Sequence, residues 1–225
     1  MFSFTIGDRT STWKYFAYLY SQIKKLTDLG LMAASVSEDD GGLGLDYLSL
    51  AVAIEEISRG CASTGMILCI HNFLYVNLVN EKGTQEQKER FLTDFTKGAI
   101  GCFALSEPGA GSDAANIKTM ARLDGDFWIL NGKKSWVTSA IEGSAAAVFA
   151  TFDPELKHKG IACFLVPLDT EGVFRGKKEP IIGVSNCPSV KSLLTDARGT
   201  QIYGGVTDIQ KRLVGHFLLK EHDAL

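Results

Sequence analysis

Two short segments carry groups that could do chemistry. The first is Phe103-Ala104-Leu105-Ser106-Glu107-Pro108-Gly109-Ala110-Gly111-Ser112-Asp113. An apolar strand runs there into a Gly/Pro-rich turn. Backbone N–H groups in such a turn can point at an anion or at the edge of a heteroaromatic ring. Ser106 and Ser112 add short hydroxyls. The second segment is Trp136-Val137-Thr138. Tryptophan offers a flat face for a ring, with a hydroxyl two residues on. Taken singly, each has an ordinary reading: a strand with a tight turn, and a sheet tryptophan packed on a core. His71, His158, His216 and His222 are isolated, without metal-ligand spacing. The five cysteines (Cys61, Cys69, Cys102, Cys163, Cys187) are scattered without a CxxC pair. They suggest neither a disulfide framework nor a zinc site, and fit a reducing compartment.

The elements that must position these segments fall into three unequal pieces: 1–98 helical, 99–190 rich in strands, and 191–225 returning to helix. Ile23, Leu26 and Leu29 share one helical face, and Gly30 closes the turn. Asp46 is placed to cap a helix with Leu50, Ala51, Ile54 and Ile57 on its apolar side and Gly60 at its end. The next helix, about 63–80, is apolar on most sides and should be buried. Thr84 and Gln87 form a T-x-x-Q capping box for a helix running toward Gly98. The pattern then changes to strands. Ile100–Leu105 is a short apolar run. Lys118–Leu123, Phe127–Leu130 and Lys133–Thr138 are separated by Asp124-Gly125 and Asn131-Gly132, both strong hairpin signals. Ala145–Phe152 and Ile161–Val166 complete at least five strands, which predicts an antiparallel β domain. No GxGxxG or βαβ alternation supports a Rossmann site. Thr207 can cap a last helix with Ile209, Leu213, Val214, Phe217 and Leu218 on one face. The fold class is therefore α+β.

The 225 residues are 45% hydrophobic and 22% charged, ordinary values for a globular chain, so wholesale disorder is not expected. Twenty-three basic against 26 acidic residues leave a net charge of −3, with no strongly basic segment to form a nucleic-acid footprint. No apolar run approaches the roughly 20 residues that span a bilayer. The opening MFSFTIGDRTSTWKYFAYLY contains an acid and is not Arg-rich, so it matches a mitochondrial presequence only weakly.

Several segments in order resemble the acyl-CoA dehydrogenase flavoprotein family. They are GGLGLDYLSLAVAIEEISRGCASTG, KGTQEQKERFLTDFTKG, FALSEPGAGSD, LNGKKSWVT, GIACFLVP and DARGTQIYGG. The resemblance runs over about 21–184 and again over about 195–220, and EEISRGCASTG with IGCFALSEPG is most similar to short-chain, butyryl-CoA-type members. It implies FAD as cofactor. Phe103, Leu105 and Ser106, with Gly111 and Ser112 closing the loop, match positions that contact the isoalloxazine. Trp136, Val137 and Thr138 match the segment against the flavin near N5. Val206, Thr207 and Asp208 match a stretch that contacts FAD. Ser112 and Gly205 match substrate-contacting positions. The implied reaction is α,β-dehydrogenation of a short acyl-CoA. A carboxylate removes the α-proton while hydride leaves the β-carbon for the flavin. The implied partners are an acyl-CoA, an electron-transfer flavoprotein and further copies of the chain, in the mitochondrial matrix.

Two departures stand beside the match. The short-chain members carry Glu in I-Y-E-G-T, where this chain has Ile202-Tyr203-Gly204-Gly205-Val206. Gly204 cannot take a proton, so no catalytic residue is assigned. The long helical C-terminal domain of the family is mostly missing between Val184 and Asp196, which leaves 191–225 as its remnant. Glu55, Glu56 and Glu107 are the nearest other carboxylates in sequence; Glu55 and Glu56 are expected to face solvent. The expectation is an impaired dehydrogenase. The alternatives are a catalytically dead flavin/CoA-binding or interaction protein, and an oxidase or monooxygenase on the same fold.

Overall fold

In the computed structural model, residues 20–176 are described. A helix over 20–28 (α1) opens the described chain. Ile23 and Leu26 are buried, but Leu29 is 65% exposed, because the helix has already given way to a turn there. Gly30 closes that turn at φ 72°, in the left-handed region where a side chain is disfavoured. α2 spans Tyr47–Gly60 and is capped as expected: Asp46 accepts from the Ser49 N–H at 2.7 Å. Its inner side is narrower than the pattern suggests. Leu50 is buried, Ile54 and Ile57 are half-buried, and Ala51 is exposed.

One continuous helix follows over Ala62–Lys82, more than half of it buried. It is long and apolar enough to cross a membrane, yet it serves as the core helix of this fold. It begins as α3 (Ala62–Cys69), widens into a π-helical stretch over Ile70–Val76, and ends as α4 (Asn77–Lys82). The wide turns aim polar side chains at the 31–34 turn. Asn72 donates to the Leu31 and Leu68 carbonyls and accepts from the Ala34 N–H. His71 joins two distant segments: its Nε2 meets the Met32 carbonyl at 2.6 Å and its Nδ1 accepts from the Gly101 N–H at 3.0 Å. α5 (Gln85–Leu92) carries the reciprocal capping box of Thr84 and Gln87. A short 3-10 turn, Phe95–Lys97, leads to Gly98.

The strands form one five-stranded sheet. β1 is Gly101–Ala104, β2 Met120–Asp124, β3 Phe127–Asn131, β4 Ala145–Thr151 and β5 Ile161–Pro167. β4 is central. It pairs antiparallel with β5 along its whole length, and parallel with β1 from Gly101↔Ala145 to Ala104↔Val148. β2 meets it at Met120↔Thr151 and forms a hairpin with β3. The sheet is thus mixed, with parallel pairing at β1 that the expectation of an antiparallel domain did not contain. The Asp124-Gly125 hairpin is present, with Gly125 at φ 59°. The Asn131-Gly132 hairpin is not. Residues 133–138 form no strand; they leave the sheet and cross back beside β1's exit loop.

Helical part and sheet share a core. Tyr75, Val76, Val79, Phe91, Leu92 and Phe95 pack against Ala145 and Ala147 of β4. The small side chains on β4 let the core helix approach closely. Gly101 serves the same end, since a Cβ there would strike the Tyr75 ring. The 177–225 segment, including the expected last helix, lies outside the described residues.

Candidate functional site

β1 ends at Ala104, and the chain then turns tightly. Glu107 and Ala110 exchange backbone hydrogen bonds of 2.9 and 3.2 Å. Gly109 and Gly111 are exposed with open space beside them, and neither needs a positive φ. The glycines therefore matter here for the clearance they leave along the loop. Phe103 is half-buried; its ring lies 4.9 Å from that of Phe149. The Leu105 and Ser106 side chains are half-buried, while Gly111 and Ser112 are exposed.

The 134–138 segment is pinned against this loop. The Ser135 N–H donates to the Ser106 carbonyl at 2.8 Å, and Lys134 Nζ donates to the Leu105 carbonyl at 3.0 Å. The two segments singled out in the sequence, residues 103–113 and 136–138, are thereby neighbours. Val137 packs its side chain on Cys102, Ala104 and Ala146. Trp136 is the reverse case. It is 73% exposed, and its backbone sits at φ 59°. Ser139, just past Thr138, is also left-handed at φ 61°. A bulky residue in that region costs on the order of 1–3 kcal/mol, and such strain gathers at functional sites. The expected sheet tryptophan is instead a tryptophan turned out of the sheet. Thr138 begins the turn that follows and is half-buried.

Glu107 and Lys134 were not read as a pair in the sequence. Glu107 is buried, with its Oε1 2.8 Å from Lys134 Nζ. It also accepts from the Lys118 N–H at 2.7 Å, the Thr119 N–H at 2.9 Å and the Thr119 hydroxyl at 2.5 Å. Burial alone would raise its pKa, but the Lys134, Thr119 and Lys118 hydrogen bonds outweigh it and hold the carboxyl at about 2. Burial also lowers the Lys134 pKa, against the opposing pull of Glu107. A carboxylate held ionised, with both oxygens accepting hydrogen bonds, is poorly placed to act as a proton-transfer base. Glu55 and Glu56 are exposed on α2, and Glu56 pairs with Arg59. Gly204, Gly205, Val206, Thr207 and Asp208 lie outside the described residues. No group of three His, Cys, Asp or Glu among the described residues is arranged to hold a metal.

A helical part packed on a small sheet is also the fold of solved acyl-CoA dehydrogenases. The butyryl-CoA dehydrogenase of Megasphaera elsdenii matches at TM-score 0.69 and 29% identity, over 82% of this chain and 55% of that one. A glutaryl-CoA dehydrogenase of Mycobacterium smegmatis, in complex with FADH2, matches at TM-score 0.69 and 31% identity, over 76% and 44%. The sequence agrees: the "Acyl-CoA dehydrogenase, N-terminal domain" profile matches residues 9–99 and the "Acyl-CoA dehydrogenase, middle domain" profile residues 102–197. The chain belongs to the acyl-CoA dehydrogenase family. It is similar to the human mitochondrial short-chain specific acyl-CoA dehydrogenase, 52% identical over 179 residues, which are 79% of this chain and 43% of that protein. The short-chain specific enzyme of Clostridium acetobutylicum is 36% identical over 77% of this chain and 46% of its own. The chain thus spans about half the length of the curated relatives it matches.

Proposed function

We propose that the chain uses its β1-exit loop and the Trp136–Thr138 turn to hold the isoalloxazine of FAD, as part of a short-chain acyl-CoA dehydrogenase-type protein. The observation that carries this reading is Trp136, exposed and held in a strained backbone beside the loop of Leu105 and Ser106. Strain of that kind persists only where surrounding structure enforces it. The fit is physical as well as by likeness: a flat face, a hydroxyl at Thr138, and a loop whose two glycines leave open space. Bound there, FAD supplies a hydride acceptor for the β-carbon of an acyl-CoA.

The chain's own residues would do the following. Trp136 stacks on the ring and excludes water from one side. Thr138 and the backbone of Ser106 offer short polar contacts at the ring edge, with Phe103 and Val137 supporting them from the core. Ser112 lies farther along the same loop and, with Gly205, would contact the acyl-CoA; Val206, Thr207 and Asp208 would complete the FAD contacts. The base position, Gly204, holds no proton acceptor. A proton-transfer group typically contributes about 10²–10⁴-fold, so dehydrogenation by this chain should be severely impaired. That same glycine favours the second reading, a flavin- and CoA-binding protein without turnover. The three-part division at 98/99 and 190/191, an electron-transfer flavoprotein as partner, self-association and a mitochondrial matrix location belong to the same proposal.

The test is an absorbance spectrum of FAD-loaded chain before and after anaerobic butyryl-CoA. The reading expects a bound-flavin band that stays unbleached in the native chain and bleaches in Gly204→Glu. Prompt bleaching of the native chain would show that another group serves as base. A chain that retains no flavin would end the cofactor reading.

A further inference from the structure

We propose that the buried Glu107–Lys134 pair is a positioning latch, which sets the Leu105–Ser106 loop at a fixed distance from the Trp136–Thr138 turn; its bearing on flavin rests on the reading above. Three consecutive loop residues are tied to two consecutive residues of the other segment. The Leu105 carbonyl takes a hydrogen bond from Lys134 Nζ, the Ser106 carbonyl one from the Ser135 N–H, and the Glu107 carboxylate a second from Lys134. The carboxylate is also anchored by the Lys118 and Thr119 N–H groups and the Thr119 hydroxyl, just ahead of β2. The 132–135 stretch must also run close to that anchor. A Cβ on Gly132 would lie 2.6 Å from the Thr119 Cα, so only glycine permits the approach.

Both charged side chains are nearly closed to solvent, at 11% exposure for Lys134 and 6% for Glu107. Two apolar residues could fill that volume and bury it equally well. They could not define direction. Lys134 distributes its N–H groups between a carboxylate and a carbonyl, fixing the loop's path in a way packing alone would not. Lys133, the residue before it, is exposed. The latch therefore depends on one lysine. Trp136, two residues on, owes its outward, strained placement to a segment clamped immediately before it. Glu107 and Lys134 are positioning residues; neither is assigned contact with flavin or substrate.

The test needs one reporter on the turn. The chain has three tryptophans, so Trp13→Phe with Trp128→Phe leaves Trp136 alone. In that background, Lys134→Met, Lys134→Arg and the double change Lys134→Met/Glu107→Gln are compared by Trp136 fluorescence anisotropy, by FAD titration and by thermal melting. Lys134→Met should lower the anisotropy at temperatures well below the melt and weaken FAD binding about tenfold, as loss of charge-assisted hydrogen bonds implies. Lys134→Arg should restore most of both. The double change removes the lone buried charge, so it keeps the fold even if Lys134→Met does not, and should still show lowered anisotropy. If melting falls while anisotropy and FAD affinity stay put, the pair is merely structural and the proposal is overturned. If the background chain binds no FAD yet Lys134→Met still frees Trp136, the latch stands and the flavin reading fails.

Discussion

Acid should weaken this fold through His71. The imidazole is fully buried between the Met32 carbonyl and the Gly101 N–H, and burial holds its pKa at about 4, with the Met32 carbonyl contact only partly opposing. The Gly101 N–H needs an acceptor, so the ring is neutral with its proton on Nε2. Unfolded, the ring titrates at its ordinary value near 6.5. The folded pKa is the lower one, so the unfolded state binds the proton first. Stability is full above the unfolded pKa, is lost as pH falls from about 6.5 to about 4, and changes no further below. A gap of roughly 2.5 units corresponds to about 3 kcal/mol in all, and about 2 kcal/mol of it is lost between pH 7.5 and pH 5. Against a total of about 5–15 kcal/mol that loss is easily measured. Urea unfolding followed by far-UV circular dichroism at those two pH values would show it. In His71→Gln, which has no titrating ring, the difference between the two pH values should shrink by about that 2 kcal/mol, whatever the variant's absolute stability. Glu107 does not blur the comparison. Its folded pKa is depressed, so its contribution is present above its ordinary value of 4.5 and is lost only as pH falls on toward about 2. An equal pH dependence in His71→Gln and the native chain would refute the argument.

Three further outcomes follow from the packing and the backbone. Gly101→Ala puts a methyl group into the fully buried Tyr75 ring, and should cost about 2–3 kcal/mol in chemical unfolding. Trp136→Gly removes a side chain from a left-handed position, so thermal melting should rise slightly, by up to about 1 kcal/mol, while FAD affinity falls. A parallel loss of both would mean that Trp136 is a packing residue. Thr84→Ala breaks the capping box at the start of α5 and should cost about 1 kcal/mol in the same unfolding assay, with no effect on flavin titration.

The helix ends were the most legible part of the sequence, because caps act over three or four residues. Asp46 with Ser49 and Thr84 with Gln87 sit as the spacing implies. So does the Asp124-Gly125 hairpin, which is closed by its own turn. The misreadings arose where distant contacts decide. Asn131-Gly132 carries a hairpin signal, but the close approach to Thr119 and the clamp at Lys134 pull the chain out of the sheet. Leu29 and Ala51 fit a helical face, yet no neighbour among the described residues covers them, and both are exposed. The parallel β1–β4 pairing depends on a long connection that no local pattern reports. In the candidate site, the residue types at 103–113 and 136–138 were visible as flat, polar and small. The Glu107–Lys134 pair was not, because a carboxylate and a lysine 27 positions apart meet only after the loop and the 132–135 stretch have folded back on each other.

The central claim is that the β1-exit loop and the Trp136–Thr138 turn hold a flavin ring. The most direct measurement is equilibrium titration of the purified chain with FAD, followed by quenching of flavin fluorescence, in the native chain and in Trp136→Gly. The account predicts saturable binding near one FAD per chain, weakened about tenfold or more in the variant, since stacking on an aromatic face is worth on the order of 1–3 kcal/mol. Equal affinity in the two proteins, or no saturable binding in a folded native chain, would contradict it.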